Sequence, residues 1–315
     1  MMTNSFDIVF SVLPIFGLFV FGHLLQRLQF FTPAAVRDLK KFVVSVTLPC
    51  LLFIAFSQLE LELRLLAIVV IVFAVCAVMV AIGHLIAKSL HIASPYFPLL
   101  FGGFETGMLG YAIFIAVYGF HAVDKLALVD LGQVVFVFFV LMALLIKLRD
   151  GVQRPAQLVQ MFLTSPVIFA ILAGMLVSVL NNAPAVASSR TYEAFNNLMT
   201  MLGNVTVPVI CLVIGYEFQL DVKTLRLAAL TILARTTLLL GLALLINKII
   251  FARFLQIDPL YEYVLLTMFV LPPPFVIALF LKDDDTANRQ YVINTLSLST
   301  IVSLIVFIVV MMVYE

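Results

Sequence analysis

Charged residues are scarce in this chain. Its 315 residues include 18 Lys and Arg and 17 Asp and Glu, which is only 11% of the total. A soluble chain of this length, at about 25% charged, would carry roughly 79 charged residues. Hydrophobic residues make up 64%, and the mean hydropathy is +1.20. This composition excludes a soluble protein, a soluble catalytic domain, a large ectodomain and an extended nucleic-acid-binding surface, and it predicts an integral membrane protein.

Cysteines are few, and the usual sequence signatures of catalysis are missing. Cys50, Cys76 and Cys211 lie inside apolar stretches without metal-ligand spacing, so we expect small core residues rather than disulfides or ligands. The sequence has no ATP-binding loop, no His-Glu-x-x-His, no paired catalytic aspartates and no Gly-x-Ser-x-Gly. It therefore favours neither an ATP-driven pump nor an intramembrane enzyme, and it predicts neither a cofactor nor a metal site.

The chain does contain a series of long apolar segments. A membrane-spanning helix needs about 20 apolar residues, which predicts ten spans, at 7–26, 36–57, 65–87, 95–119, 126–146, 158–180, 195–217, 224–246, 259–281 and 291–313. Lys and Arg favour the cytoplasmic side of a membrane. Twelve of them lie in or beside the loops after odd-numbered spans and five in those after even-numbered spans. Both termini are therefore expected outside the cytoplasm.

Short motifs recur in the two halves of the chain. In the same order, Val46-Thr47-x-Pro49 returns as Val205-Thr206-x-Pro208, Pro14 and Gly22 return as Pro166 and Gly174, and Pro95 returns as Pro259. This ordered recurrence predicts two five-helix repeats, residues 1–150 and residues 151–315. Because five is odd, the second repeat would enter the membrane from the opposite side. Inverted repeats of this kind suit alternating access.

Two of the predicted spans cannot be regular helices. Span 4 has four glycines between Gly102 and Gly110, and each costs about 1 kcal/mol against alanine in a helix interior. Span 9 contains Pro272–Pro274, which lack the amide donors of a helix. Broken backbone survives in a membrane only inside protein or beside a wet cavity, so each repeat is expected to contribute one discontinuous helix. Alternatively, the glycines serve close helix packing and the prolines form an ordinary kink.

Four short motifs along the chain point to one family. They are Thr47-Leu48-Pro49, Glu105-Thr106-Gly107-x-x-Gly110, Val207-Pro208 followed by Gly215, and Leu271-Pro272-Pro273. In this order they resemble the auxin efflux carrier family of membrane transport proteins, over essentially the whole chain. The resemblance implies an all-α membrane protein of ten transmembrane helices, built as two inverted five-helix repeats and related in fold to bile-acid/sodium symporters. It also implies that helices 4 and 9 cross as broken helices at the substrate site.

The resemblance carries further expectations about substrate, assembly and location. Family members move organic anions, including auxin in plants and dicarboxylates in bacteria. The plant carriers are dimeric, so a homodimer is one expectation for this chain. The short connection between spans 5 and 6 resembles the bacterial members, which implies a bacterial inner or plasma membrane.

The chain departs from the family pattern at two positions. Glu105 stands where the family usually has Asn, and Ala112 stands where it usually has Pro. An acid at an anion site would repel an anionic substrate. Either Glu105 is protonated when the substrate binds, or Arg235 neutralises it, or the substrate differs from the family norm.

Ionisable residues inside a bilayer are costly and are functional candidates by default. Glu105 is the candidate coupling group, because a carboxylic acid amid broken backbone can take and release a proton; its alternative is a structural pairing. Arg235 could clamp a carboxylate, cap carbonyls exposed by the break in span 9, or reach the membrane surface. Asp130 is the third coupling candidate, although a place near a helix N-terminus would also explain it. At the repeat spacing, Asp130 corresponds to Asn294, which predicts a lining role for both.

These patterns define a candidate site in three groups. The predicted substrate-binding residues are Gly103, Glu105, Thr106, Gly107, Gly110, Gln133, Pro272, Pro273, Pro274 and Asn294. The predicted coupling residues are Glu105, Arg235 and Asp130. The predicted hinge or kink residues are Thr47, Pro49, Thr206 and Pro208.

The sequence as a whole predicts a secondary active transporter. The expected substrate is a small organic anion, a carboxylate, moved by alternating access with proton coupling through Glu105. The expected partners are that substrate and the lipid bilayer, and no nucleic acid. A sodium-coupled organic-anion symporter and a non-transporting receptor or sensor are the alternatives.

Overall fold

A computed structural model describes residues 5–58, 65–151, 155–180, 190–218, 225–281 and 285–314 of the chain. All regular structure within these ranges is helical, and they contain no β-strand. Nine helical segments in this part of the chain are long and apolar enough to cross a membrane. A further apolar helix, Pro166–Val179, is shorter. The predicted all-α membrane protein is confirmed, whereas the count of ten spans stays a prediction.

The α-helices follow one another from α1 to α14. In chain order they are α1 (Ser5–Arg27), α2 (Pro33–Phe42), α3 (Leu48–Ser57), α4 (Leu66–Ser89), α5 (Tyr111–Tyr118), α6 (Val123–Phe136), α7 (Met142–Asp150), α8 (Pro155–Leu163), α9 (Pro166–Leu180), α10 (Arg190–Asn204), α11 (Thr206–Glu217), α12 (Leu225–Ile246), α13 (Leu260–Val270) and α14 (Thr286–Tyr314). Wider π-helical segments lie at Val43–Thr47, Thr106–Gly110, Val137–Leu141 and Asn247–Leu255, and tight 3-10 turns lie at Leu99–Phe101, Phe120–Ala122 and Phe275–Phe280.

The predicted sixth span, residues 158–180, is divided in the structure. Helix α8 ends at Leu163, and α9 begins at Pro166. Proline has no amide N–H to continue the preceding helix, and it fits the first position of a new one. The apolar segment therefore does not form one continuous helix.

The chain forms two compact units, and each unit combines segments from both halves of the sequence. Unit 1 comprises Met1–Glu62, Gly107–Leu128 and Gln160–Phe218. Unit 2 comprises Leu63–Thr106, Val129–Val159 and Gln219–Glu315. The two predicted repeats, 1–150 and 151–315, therefore each contribute helices to both units.

Within unit 1, two helix pairs pack closely at glycines. Helix α1 lies against α11 at Gly22, where an added Cβ would come within 2.2 Å of the carbonyl oxygen of Leu212. Helix α9 lies against α3 at Gly174, where an added Cβ would come within 2.7 Å of the carbonyl oxygen of Phe53. Small residues of this kind let membrane helices approach to backbone contact. Both glycines belong to the recurring motifs.

Unit 2 contains both segments that were expected to be broken. Residues 102–105 are non-helical between the turn Leu99–Phe101 and the segment Thr106–Gly110. Helix α13 ends at Val270, and the backbone from Leu271 to Pro274 is extended before the turn Phe275–Phe280. The broken helices 4 and 9 are thus present in the structure. Their glycines and prolines explain them, because neither stretch can complete a regular ladder of helical hydrogen bonds.

Candidate functional site

The two broken segments contact each other directly inside unit 2. The backbone N–H of Glu105 donates to the carbonyl oxygen of Pro272 at 2.9 Å. The backbone N–H of Phe275 donates in return to Oε2 of Glu105. Glu105 is buried, with 8% of its surface exposed. Glu105 therefore makes two hydrogen bonds to the proline break. Its backbone N–H donates to a carbonyl oxygen there, and its carboxylate accepts from a backbone amide.

Glycine at position 103 allows this close approach of the breaks. Gly103 has a φ of 78°, which is in the left-handed region that side-chain-bearing residues rarely adopt. An added Cβ there would lie 2.8 Å from Cγ of Pro274. Any larger residue would strain the backbone and push the proline away. The need for glycine here is both conformational and steric.

Arg235 of α12 bridges both breaks. One terminal nitrogen, Nη1, donates to the carbonyl oxygen of Leu271 at 2.6 Å, and Nη2 donates to that of Gly103 at 2.7 Å. The side chain is 3% exposed. Of the three expected roles, the geometry fits the capping of exposed carbonyls, and it extends that role from one break to both. Its Nε lies buried without a hydrogen-bond partner in the described part of the chain.

Two phenylalanines complete the surroundings of Arg235. The guanidinium lies 5.4 Å from the ring centroid of Phe104, a cation–π distance. Phe104 in turn stacks on Phe269, with ring centroids 5.1 Å apart and planes inclined by 12°. Neither ring was among the predicted site residues. The available signal was their place in the sequence, since Phe104 follows Gly103 and Phe269 lies one residue before the end of α13, near Leu271.

Gln133 and Asp130 of α6 support the first break. The backbone N–H of Phe104 donates to Oε1 of Gln133 at 3.2 Å. Nε2 of Gln133 donates to Oδ1 of Asp130 at 2.8 Å. Both side chains are buried. The predicted polar pair therefore reaches the broken backbone through Gln133, with Asp130 fixing the orientation of the amide.

The structure divides the remaining predicted substrate residues between the two units. Thr106 and Asn294 are buried in unit 2, and so are the three prolines of the second break. The Thr106 hydroxyl has no hydrogen-bond partner among the described residues. Gly107 and Gly110 belong to unit 1, on the π-helical segment that leads into α5.

The helices are interrupted near each predicted kink in unit 1. The π-helical segment Val43–Thr47 directly precedes α3, whose second residue is Pro49. A turn at Val205 separates α10 from α11, near Pro208. The hydroxyls of Thr47 and Thr206 are buried and have no hydrogen-bond partner within the described ranges. They therefore do not bond carbonyls of their own helices.

Comparison with known proteins finds one family that matches part of the chain. The sequence profile of the membrane transport protein family matches residues 7–161, just under half of the chain. No curated protein matches the chain. The matched range contains the first break with Gly103 and Glu105, and the residue pair Asp130 and Gln133. Over residues 7–161 the chain is similar to the membrane transport proteins of the auxin efflux carrier family, and its apolar helices are those of an integral membrane protein.

Proposed function

We propose that this membrane transport protein is a secondary active transporter of a small organic anion, a carboxylate. It works by alternating access and couples transport to protons through Glu105. The contact between the two breaks carries the proposal, because it puts one ionisable side chain into the discontinuity of the other helix. Membrane transporters build their substrate and ion sites from such discontinuous helices.

Protonation of Glu105 would change how the breaks are held. When ionised, the carboxylate accepts a charge-assisted hydrogen bond from the Phe275 amide. Such bonds are roughly twice as strong as bonds between neutral groups, so adding a proton weakens this tie. An anionic substrate is also repelled by an ionised Glu105 and not by a protonated one. Proton and anion would therefore bind together.

Arg235 contributes a fixed positive charge to this site. Both of its terminal nitrogens are engaged by backbone carbonyls, so the proposed role is to hold the breaks while its charge favours an anion nearby. This differs from a bidentate clamp on the substrate. Arg235, Glu105 and Asp130 are all buried in unit 2, so the guanidinium would offset the negative charge of either acid when that acid is ionised.

The proposed architecture is a pair of inverted five-helix repeats with ten membrane spans. The interleaving of both halves in each unit supports it. The glycine contacts support it as well, since Gly22 joins span 1 to span 7 and Gly174 joins span 6 to span 2. We further propose both termini outside the cytoplasm, a bacterial inner membrane and a homodimer, on the positive-charge distribution and the family resemblance.

Uptake into proteoliposomes tests the function. A panel of carboxylates is offered while pH, sodium and voltage gradients are imposed separately. The expected result is uptake of at least one carboxylate driven by the pH gradient. Absence of uptake for every substrate under every gradient would contradict the transporter proposal. Uptake driven by sodium and indifferent to pH would favour the sodium-coupled alternative.

The variant Glu105→Gln tests the coupling role. Gln retains an acceptor for the Phe275 amide but cannot ionise, so uptake should lose its dependence on pH. Glu217→Gln is the matched control, because Glu217 is an exposed acid whose carboxylate lies 2.7 Å from the ammonium of Lys40 in unit 1. The control should keep the pH dependence of the unmodified protein. An unchanged pH dependence in Glu105→Gln would remove Glu105 from the coupling role.

A further inference from the structure

Helix α10 of unit 1 carries a polar stripe along one face. Five polar residues recur on it at intervals of three or four positions: Arg190, Glu193, Asn197, Thr200 and Asn204. At 3.6 residues per turn they fall within about 80° of the helix circumference. Four of them are exposed, and Thr200 is partly exposed. The stripe runs from the first residue of α10 to its last.

Part of this stripe lies at membrane depth. The segment Arg190–Glu217 is long and apolar enough to cross a membrane, and Glu217, at its other end, forms an exposed ion pair with Lys40. Asn204 lies 13 residues before Glu217, which is about 20 Å along a helix axis. Since the hydrocarbon core is about 30 Å thick, Asn204 lies about 10 Å inside it. Thr200, one turn earlier, lies closer to the boundary.

The other sides of this segment are apolar. Gly203 packs against α3, where an added Cβ would lie 3.2 Å from Cα of Leu51. Leu198 and Val205 are exposed apolar residues, as expected for side chains that contact lipid. The stripe is distinct from both sides, and lipid tails cannot satisfy its amides and hydroxyl.

The stripe ends at a cavity inside unit 1. This cavity has a volume of about 420 Å³ and lies between α1, α3, α5 and the junction of α10 with α11. Asn204 and Ser11 are its polar lining residues, and Pro14 and Pro208 line it as well. Pro208 has no N–H to donate to the carbonyl oxygen of Asn204, four residues earlier. The inner end of the stripe therefore offers hydrogen-bonding groups to water.

A buried acceptor at the edge of the stripe lacks a partner. Oδ1 of Asn196 is buried and has no hydrogen-bond partner in the described part of the chain. The neighbouring hydroxyl of Thr200 donates to the backbone carbonyl of Asn196 at 2.9 Å, and not to this oxygen. Unsatisfied buried groups of this kind point to an ordered water.

We propose that the polar stripe of α10 lines a water-filled passage from the membrane surface to the cavity of unit 1. Polar residues at membrane depth face either the interior of a helix bundle or a water-filled space. The first location does not fit, because Asn197 and Asn204 are exposed. The second fits, because Asn204 belongs both to the stripe and to the lining of the cavity. Arg190 and Glu193 have opposite charges, so the lining does not select an ion by its charge.

Such a passage would let a hydrophilic solute reach membrane depth without crossing lipid. On the proposed orientation, Arg190 follows the connection between spans 6 and 7 and lies outside the cytoplasm. Use of the passage by the transported carboxylate rests on the proposed function, whereas the presence of water in the passage does not.

Cysteine labelling of the full chain in proteoliposomes tests the passage. A small cationic methanethiosulfonate reagent, which does not enter lipid, is supplied on both sides of the bilayer. Thr200→Cys and Asn204→Cys should react at least about tenfold faster than Leu198→Cys and Val205→Cys, because the reactive thiolate forms in water and not in lipid. Each apolar control lies within two residues of its polar counterpart. The unmodified chain should give little background, since Cys50, Cys76 and Cys211 are buried.

Three results would overturn the proposal. Equal labelling of all four positions would show that this part of α10 lies outside the bilayer. Absence of labelling at both polar positions would show that the stripe is dry. Disulfide-linked dimers of Asn204→Cys that resist the reagent would show that a second copy covers the stripe. If Asn204→Cys fails to fold, the conservative Thr200→Cys and its control Leu198→Cys decide the question.

Labelling and uptake fail independently of each other. Carboxylate uptake by a protein with an unlabelled stripe would refute the passage alone. Labelling of the stripe in a protein that takes up no carboxylate would support the passage and count against the proposed function.

Discussion

Arg235→Met removes the side chain that joins the two breaks. Methionine keeps much of the aliphatic stem and its packing but has no donors. The carbonyl oxygens of Gly103 and Leu271 would then lose their present partners at 2.7 and 2.6 Å. Because Arg235 is 3% exposed, bulk water cannot readily replace the guanidinium. The breaks should become less well held, and the free energy of unfolding should fall.

The expected loss follows from the two hydrogen bonds. A buried polar group left unsatisfied costs about 1–3 kcal/mol, so two carbonyls cost about 2–6 kcal/mol. Removing a buried charge offsets part of this loss, because the guanidinium no longer has to be desolvated on folding. The expected net decrease in the free energy of unfolding is about 2–4 kcal/mol.

Denaturant unfolding of the purified protein in detergent measures this decrease. Arg253→Met is the control, because Arg253 is exposed and an exposed substitution usually changes stability by no more than about 0.5 kcal/mol. The decrease in the free energy of unfolding for Arg235→Lys should lie between those of Arg235→Met and Arg253→Met. A lysine ammonium keeps the positive charge but lacks the planar fork of donors. A loss below about 1 kcal/mol in Arg235→Met would refute the bridging argument. Loss of uptake at unchanged stability would restore the substrate-clamp interpretation.

Three further substitutions test the close contacts and supports of the two units. Gly103→Ala should lower stability by about 1–3 kcal/mol because of its positive φ, and uptake should fall with it because Pro274 must move; normal unfolding and uptake would count against the contact. Gly22→Ala should lower the denaturation midpoint, whereas Gly17→Ala on the same helix meets open space and should not; equal midpoints would contradict the α1–α11 packing. Gln133→Leu leaves a buried amide without its acceptor and should lower stability by about 1–3 kcal/mol, measured by the same unfolding assay; unchanged stability would show that this bond is dispensable.

Composition and local chemistry made the protein class and the two breaks predictable. Few charges and long apolar segments are properties of the whole sequence, and glycine and proline act on their own stretch of backbone. The choice of partners was not predictable in the same way. Arg235 had three plausible roles, because a long side chain can reach carbonyls, carboxylates or the membrane surface. Only the packed structure shows that Arg235 donates a hydrogen bond to one backbone carbonyl in each break.

Other features depend on residues that are distant in the sequence. Glu262 is hydrogen-bonded to Asn247, which lies 15 residues before it, and to Tyr314, which lies 52 residues after it. No short sequence motif predicts contacts of this kind. The division of the sixth predicted span was missed because hydropathy averages over Pro166. Phe104 was not singled out among the 29 phenylalanines of the chain, because its residue type is common throughout the apolar segments, although it lies beside Arg235.

The interleaved units impose an order on biosynthesis. Helix α1 is made first, yet the helix it meets at Gly22, α11, is made near the end of the second third of the chain. Likewise, α3 is synthesised before α9, the helix that packs against it at Gly174. A nascent chain that has reached residue 161, the end of the family match, would present the Gly22 face of α1 and the Phe53 face of α3 to lipid or to the insertion machinery. Truncated products should therefore be substrates for quality-control proteolysis rather than stable half-transporters.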